Sequence, residues 1–424
     1  MKCLNQNAET AGSLKTNKTI RIFHLAQTVG QLGILVICFY FGLRNAKLFA
    51  PKECNTILSS FILVCFFILV CLQFSLLQTE AEKPNGPQLF NHYFETITIC
   101  CTLPQCLALL TKLLNYYHLI NGTFWMLLVI FYSFIMYIPM AKLALIRVNN
   151  NWGRILLFAF IIYRHMIWPA KTIAGHLLYN KCFMQINNSG VLGIPILISI
   201  TYFVMSSWKI QKPHKVFSRN CSISFSSVIT LFLFGNLCWK AQPILNSVIN
   251  HTNTSSLYFS RINPVIICSA LRAGIAEEWL MRFIIIALLA QIFRSNKDGI
   301  YLIVLIDGLI FGLWHITNVC SQTLSVTINQ IIHATGWGFL YAAIYLYTHS
   351  ILLTMIHHSL YDFINFLFQS SITKYSAHVG FSLQFSIDSC IVAYMFLCAG
   401  LAFIIIRYDE VKQKNVIAKN LTQI

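Results

Sequence analysis

Three stretches of this chain carry acids, imidazoles and amides at helical spacing inside sequence that is otherwise apolar. The first is Leu271-Arg-Ala-Gly-Ile-Ala-Glu-Glu-Trp-Leu-Met-Arg-Phe283, with Arg272, Glu277, Glu278 and Arg282. The second runs from Asp307 through Phe311 and His315 to Asn318, and the third from Met355 through His358 and Asp362 to Asn365. Glu278 and Arg282 are four apart, so on a helix they share a face and can pair. Glu277 is turned away from them by about 100° at 3.6 residues per turn. That separates a carboxylate held by a cation, which shapes a site, from a neighbour left free to face a cavity. Asp307, Phe311 and His315 follow at successive fours, with Asn318 a further turn along. His358 and Asp362 are again four apart.

The elements that must position these groups are membrane helices. With 57% apolar residues, 10% charged and a mean hydropathy of +0.66, the chain reads as an all-α, polytopic integral membrane protein. Apolar runs fall near 26–43, 56–77, 94–113, 120–142, 152–169, 189–207, 223–245, 262–292, 299–319, 328–348, 350–370 and 382–406, giving about 12 transmembrane helices. The expected division is an N-terminal region of about six helices (1–220), a catalytic membrane domain (221–407) and a basic tail (408–424). Lys and Arg in the breaks place both termini on the cytoplasmic side of a cell membrane. The net charge of +17 then reflects topology and anionic lipid, with no nucleic acid as partner. The cysteines are scattered through apolar runs and read as packing residues. The first six spans show no tight cluster of chemistry, and Pro104, Pro139 and Pro169 are expected to kink helices.

Charge inside a bilayer is costly, and none of these groups is needed to span one. Acid or imidazole on one face of three separate helices therefore points to a shared wet cavity. His333 and His357 read as structural or helper residues. Zinc hydrolysis is a second reading of the same residue types, but the His-Glu-x-x-His spacing on one helix is missing, and no cofactor is expected.

The three motifs, Glu277-Glu278-x-x-x-Arg282, Phe311-x-x-x-His315 and His358-x-x-x-Asp362, occur in that order on separate helices over about residues 225–407. In this they resemble the CPBP family of CAAX-type proteases and bacteriocin-processing or immunity proteins. The resemblance implies a glutamic intramembrane endopeptidase in which Glu277 activates a water held with His315, and His358 donates to the oxyanion. Asp362 stands where the family often has Asn; an ionised Asp cannot donate, so it is expected to orient His358. Glu278, Arg282, Asp307 and Asn318 are expected to support the site. The substrate would be a membrane peptide, a lipidated protein or a lipoprotein. A membrane acyltransferase moving a lipid chain to an amine, or a peptide-binding immunity protein, is the alternative. Oligomeric state is not legible.

Overall fold

The computed structural model describes residues 18–44, 86–119, 123–167, 181–210, 222–250, 262–320, 322–369 and 388–421. In hydrocarbon the backbone has no water to bond to, so an apolar run must satisfy its own N–H and C=O groups. The described residues do this as helices, with no strand among them. The protein is all-α and polytopic.

Among the described residues, seven helices are long and apolar enough to cross a membrane: Lys18–Ile37, Gly86–Thr111, Leu127–Arg147, Ile223–Ile249, Gly299–Cys320, Ile351–Phe368 and Ser389–Val411. The expected run at 56–77 lies outside the described residues. Other expected spans form helices outside these seven. Gly193–Ser207 reaches only 15 residues. Leu324–Thr348 is 25 residues long but less apolar than the seven, carrying His333, Thr335, Gly336, Trp337 and Gly338, and from Ala334 to Ile344 it is buried without a break. Residues 151–167 and 264–292 are interrupted by π-helical turns.

Two compact units emerge. One comprises residues 1–157, 161–188 and 195–209, the other 158–160, 189–194 and 210–424. In the first, Leu35 of Lys18–Arg44 packs on Cys106 of Gly86–Tyr116. Pro139 opens a new short helix, Ile138–Leu143, after Thr123–Ile135 ends, so a break occurs there; Pro104 sits inside a continuous helix, and Pro169 is outside the described residues. This unit also holds polar groups that the sequence reading did not cluster. His24 Nε2 lies 4.0 Å from the buried Glu95, and Gln27 donates to Tyr132 and to the Met136 carbonyl at 3.1 and 2.9 Å. His24 and Glu95 are far apart in sequence and on different helices, so no local spacing pairs them.

The second unit is built around residues 264–292. Asn263 caps the segment, accepting from the Ile266 N–H, and Pro264 occupies its first turn, where a missing N–H costs nothing. The segment then runs as α-helix (Pro264–Arg272), two π turns (Ala273–Glu277 and Trp279–Ile285) and α-helix again (Ile286–Ile292). Ala276, Leu280, Met281, Ile284, Ile285, Leu288 and Leu289 are fully buried along it, so protein encloses its middle, while Ile267 and Leu271 near its start are exposed.

Glycines let the neighbouring helices come close, the usual device where lipid supplies no hydrophobic drive. A Cβ on Gly338 of Leu324–Thr348 would stand 2.6 Å from the Gly308 Cα of Gly299–Trp314. A Cβ on Gly274 would stand 2.5 Å from the Ser359 N and 2.8 Å from the Met355 carbonyl of Ile351–Gln369. Gly274→Val is therefore expected to wedge these two helices apart. Overpacking of this kind costs about 1–3 kcal/mol, readable as a lower denaturation midpoint in detergent; a midpoint equal to the parent protein's would contradict this packing.

Candidate active site

Arg282 is the structural centre of the site. Fully buried, it donates through Nε to Glu278 Oε2 at 2.9 Å and through Nη1 to Asp307 and to the Gly338 carbonyl, the latter at 3.3 Å. Its guanidinium also lies over the rings of Phe311 and Tyr341, 5.5 and 5.7 Å from their centroids. One side chain thus ties three segments together. The planar fork of Arg suits this, because its donors leave in fixed and separate directions. Asp307, given a supporting role from its place on the stripe, is the far end of this clamp.

Glu278 carries the clamp to the next helix. While Oε2 accepts from Arg282, Oε1 receives His358 Nδ1 at 2.9 Å. A carboxylate already held by Arg282 is an acceptor, so Nδ1 donates and the ring's orientation is fixed. His358 Nε2 then faces two further carboxylates, Asp362 Oδ2 at 3.6 Å and Glu277 Oε2 at 3.9 Å. Neither is in hydrogen-bond contact with it. Both are more open than the clamp: the Asp362 and Glu277 side chains are 22% and 12% exposed, those of Glu278 and Arg282 0%. Glu278, Arg282, Asp307 and His358 form the dry side of one arrangement, with Glu277 and Asp362 on its open side.

His315 lies where the Asp307 helix loosens. The α-helix ends at Trp314 and His315–Cys320 continues as a 3₁₀ turn, so the straight stripe from Asp307 through His315 to Asn318 is not kept. The reason is local: the His315 ring bonds its own helix, Nδ1 lying 2.9 Å from the Phe311 carbonyl. A carbonyl only accepts, so Nδ1 carries a proton, and Nε2 is the ring nitrogen left for other partners. His315 and Arg272 both interact electrostatically with Glu277. Asn318 donates to Gln330 at 3.0 Å, bracing the 3₁₀ turn against Leu324–Thr348. Among the described residues no three His, Cys, Asp or Glu side chains form a metal-ligand group.

Some of the framework had no signal in the motifs. Tyr341 pairs its hydroxyl with His357 Nδ1 at 2.6 Å, behind His358. Tyr361 and Tyr394 stack on His333, and Trp337 meets His333 edge-on and His357 at a tilt. An aromatic on an apolar helix looks the same in sequence whether it meets lipid or a histidine.

The site defines the class: a helical membrane protein in which acid and imidazole groups from three helical segments meet inside the protein, anchored by one buried arginine. Residues 260–364, which contain all three motifs, match the Rce1-like family model, described as type II CAAX prenyl endopeptidase Rce1-like, within the CPBP family. That family is generally one of proteases. Nothing among curated proteins or solved structures matches the chain.

Proposed function

We propose that this protein is an intramembrane endopeptidase that hydrolyses a peptide bond with water activated by Glu277. The observation that carries the reading is the placement of His358: Nδ1 is fixed on Glu278, and Nε2 is turned toward Glu277 and Asp362. A carboxylate outside hydrogen-bond contact with that ring has lone pairs for a water molecule. Glu277 takes one proton from the water as the oxygen attacks the scissile carbonyl, with His315 Nε2 as the second acceptor for that water. Protonated at Nε2, His358 donates to the oxyanion that forms, a kind of stabilisation usually worth about 2.7–4 kcal/mol. Collapse of the intermediate breaks the C–N bond, and the proton held on Glu277 goes to the departing amine. Asp362, 3.6 Å from His358 Nε2, adds a second carboxylate beside a ring whose orientation Glu278 sets, rather than serving the oxyanion itself. The family match suggests a prenylated peptide as the first substrate to try, with anionic lipid as its surroundings.

The test is cleavage of a farnesylated CAAX peptide by the full chain in liposomes, in isotopically heavy water. Endopeptidase chemistry predicts two fragments by mass spectrometry, with a single heavy oxygen in the new carboxyl group. Transfer of an acyl chain to an amine without uptake of that oxygen would establish the acyltransferase alternative instead. Binding of the peptide with no covalent change would leave a capture protein.

A further inference from the structure

A cation that the catalytic arrangement does not use lies next to it. Lys240 is on Ile223–Ile249, nine residues before the helix end, which is about 14 Å at 1.5 Å per residue. A lysine at that depth marks a functional site unless it finds an anion or reaches the interface. No described carboxylate lies within ion-pair distance of it. Instead Nζ stands 5.2 Å from the centroid of the Tyr361 ring. A cavity of about 600 Å³ opens at this point, walled by Phe232, Trp239, Tyr361, Tyr394 and Leu397, and Lys240 is the one Lys or Arg among its described lining residues.

The cavity and the proposed active site share a wall. Tyr361 lies in sequence between His358 and Asp362, and its hydroxyl meets His333 Nε2 at 3.3 Å. His333 stacks on Tyr361 and Tyr394 from the cavity side. Asp362, next to Tyr361, interacts electrostatically with Lys240. A ligand in the cavity is therefore one side chain away from Asp362. The walls suit apolar groups, and a single ammonium, the one Lys or Arg among the described lining residues, suits a monoanion better than a phosphate dianion.

We propose that this cavity is a substrate subsite in which Lys240 pairs with a carboxylate of the bound peptide while the aromatic walls take the apolar side chains beside it. Lys240 thereby sets which peptides are held and how far the scissile bond lies from their negative charge. The carboxylate is the peptide's C-terminus or an acidic side chain. The proposal rests on the peptidase reading only in taking the ligand to be a peptide.

The test is equilibrium binding to the full chain in nanodiscs of three probes: N-acetyl-trileucine, its C-terminal amide, and N-acetyl-Leu-Glu-Leu amide. At least one carboxylate probe is expected to bind about tenfold or more tightly than the neutral amide, the preference expected of a charge-assisted pair. Preference for the first carboxylate probe identifies the C-terminus, and preference for the glutamate probe a side chain. Lys240→Met should reduce the preferred probe to the level of the neutral amide, and Lys240→Arg should retain the preference. Equal binding of the three probes, binding of none, or a preference that survives Lys240→Met would overturn the subsite. The two readings fail separately. Charge-dependent binding without cleavage of any peptide would sink the peptidase reading and leave the anion subsite standing, whereas cleavage without charge preference would do the reverse.

Discussion

Glu277→Gln is expected to lower peptide hydrolysis by about 10²–10⁴-fold, the range a positioned general base contributes, while leaving the protein folded. The substitution is nearly isosteric, and Glu277 takes no part in the Arg282 clamp: its Oε2 is 3.9 Å from His358, outside hydrogen-bond contact. An amide at this position can still hold a water but cannot take its proton. The contrast with Glu278→Gln makes the result specific. Glu278 is fully buried, with one oxygen on Arg282 and the other on His358, so losing its charge should lower the unfolding midpoint as well as the rate. The measurements are product formation by mass spectrometry and unfolding in detergent for each variant. A Glu277→Gln protein that hydrolyses at the parent rate would remove Glu277 from the chemistry.

The second large effect is on stability. Arg282→Met should destabilise the membrane domain by about 3–5 kcal/mol, the cost of leaving a buried charge without its partner. Here two buried carboxylates, Glu278 and Asp307, face each other's charge when the guanidinium is removed. Because the cost lies in those uncompensated charges, the triple replacement Arg282→Met, Glu278→Gln, Asp307→Leu should recover much of the stability. It should not recover activity, since His358 would lose the carboxylate that fixes its Nδ1. An Arg282→Met protein as stable as its parent would show that the clamp does not hold these helices together.

The same clamp shows how far the sequence could be read. The Glu278–Arg282 pair was legible because i and i+4 are neighbours on any helix, and that pair forms at 2.9 Å. Asp307 was legible as polar and on a stripe, but its partner was not. Its partner depends on Gly308 and Gly338 meeting across two helices, and no spacing within one helix encodes that approach. His315 was expected on a continuous stripe, yet its ring bonds the Phe311 carbonyl where the helix tightens to 3₁₀. The π turns on either side of Glu278 were invisible for a related reason: a π turn needs no special residue, and an apolar run reads alike with i→i+4 or i→i+5 bonding.

By itself the sequence determined the class of protein, the helical state of its apolar runs and the three stretches where acids, imidazoles and amides are concentrated. Hydropathy and helical period are local properties, and the bilayer leaves an apolar run few other ways to satisfy its backbone. Only the tertiary structure decided which polar groups share a hydrogen bond. It joined Asp307 to Arg282, passed the Glu278 carboxylate to His358, left Glu277 and Asp362 on the open side, and set Lys240 beside an aromatic cavity one wall away. Those pairings follow from the close approach of helices at Gly274, Gly308 and Gly338. Such crossings depend on side-chain volumes summed over several helices, and no single stretch of the chain contains that information.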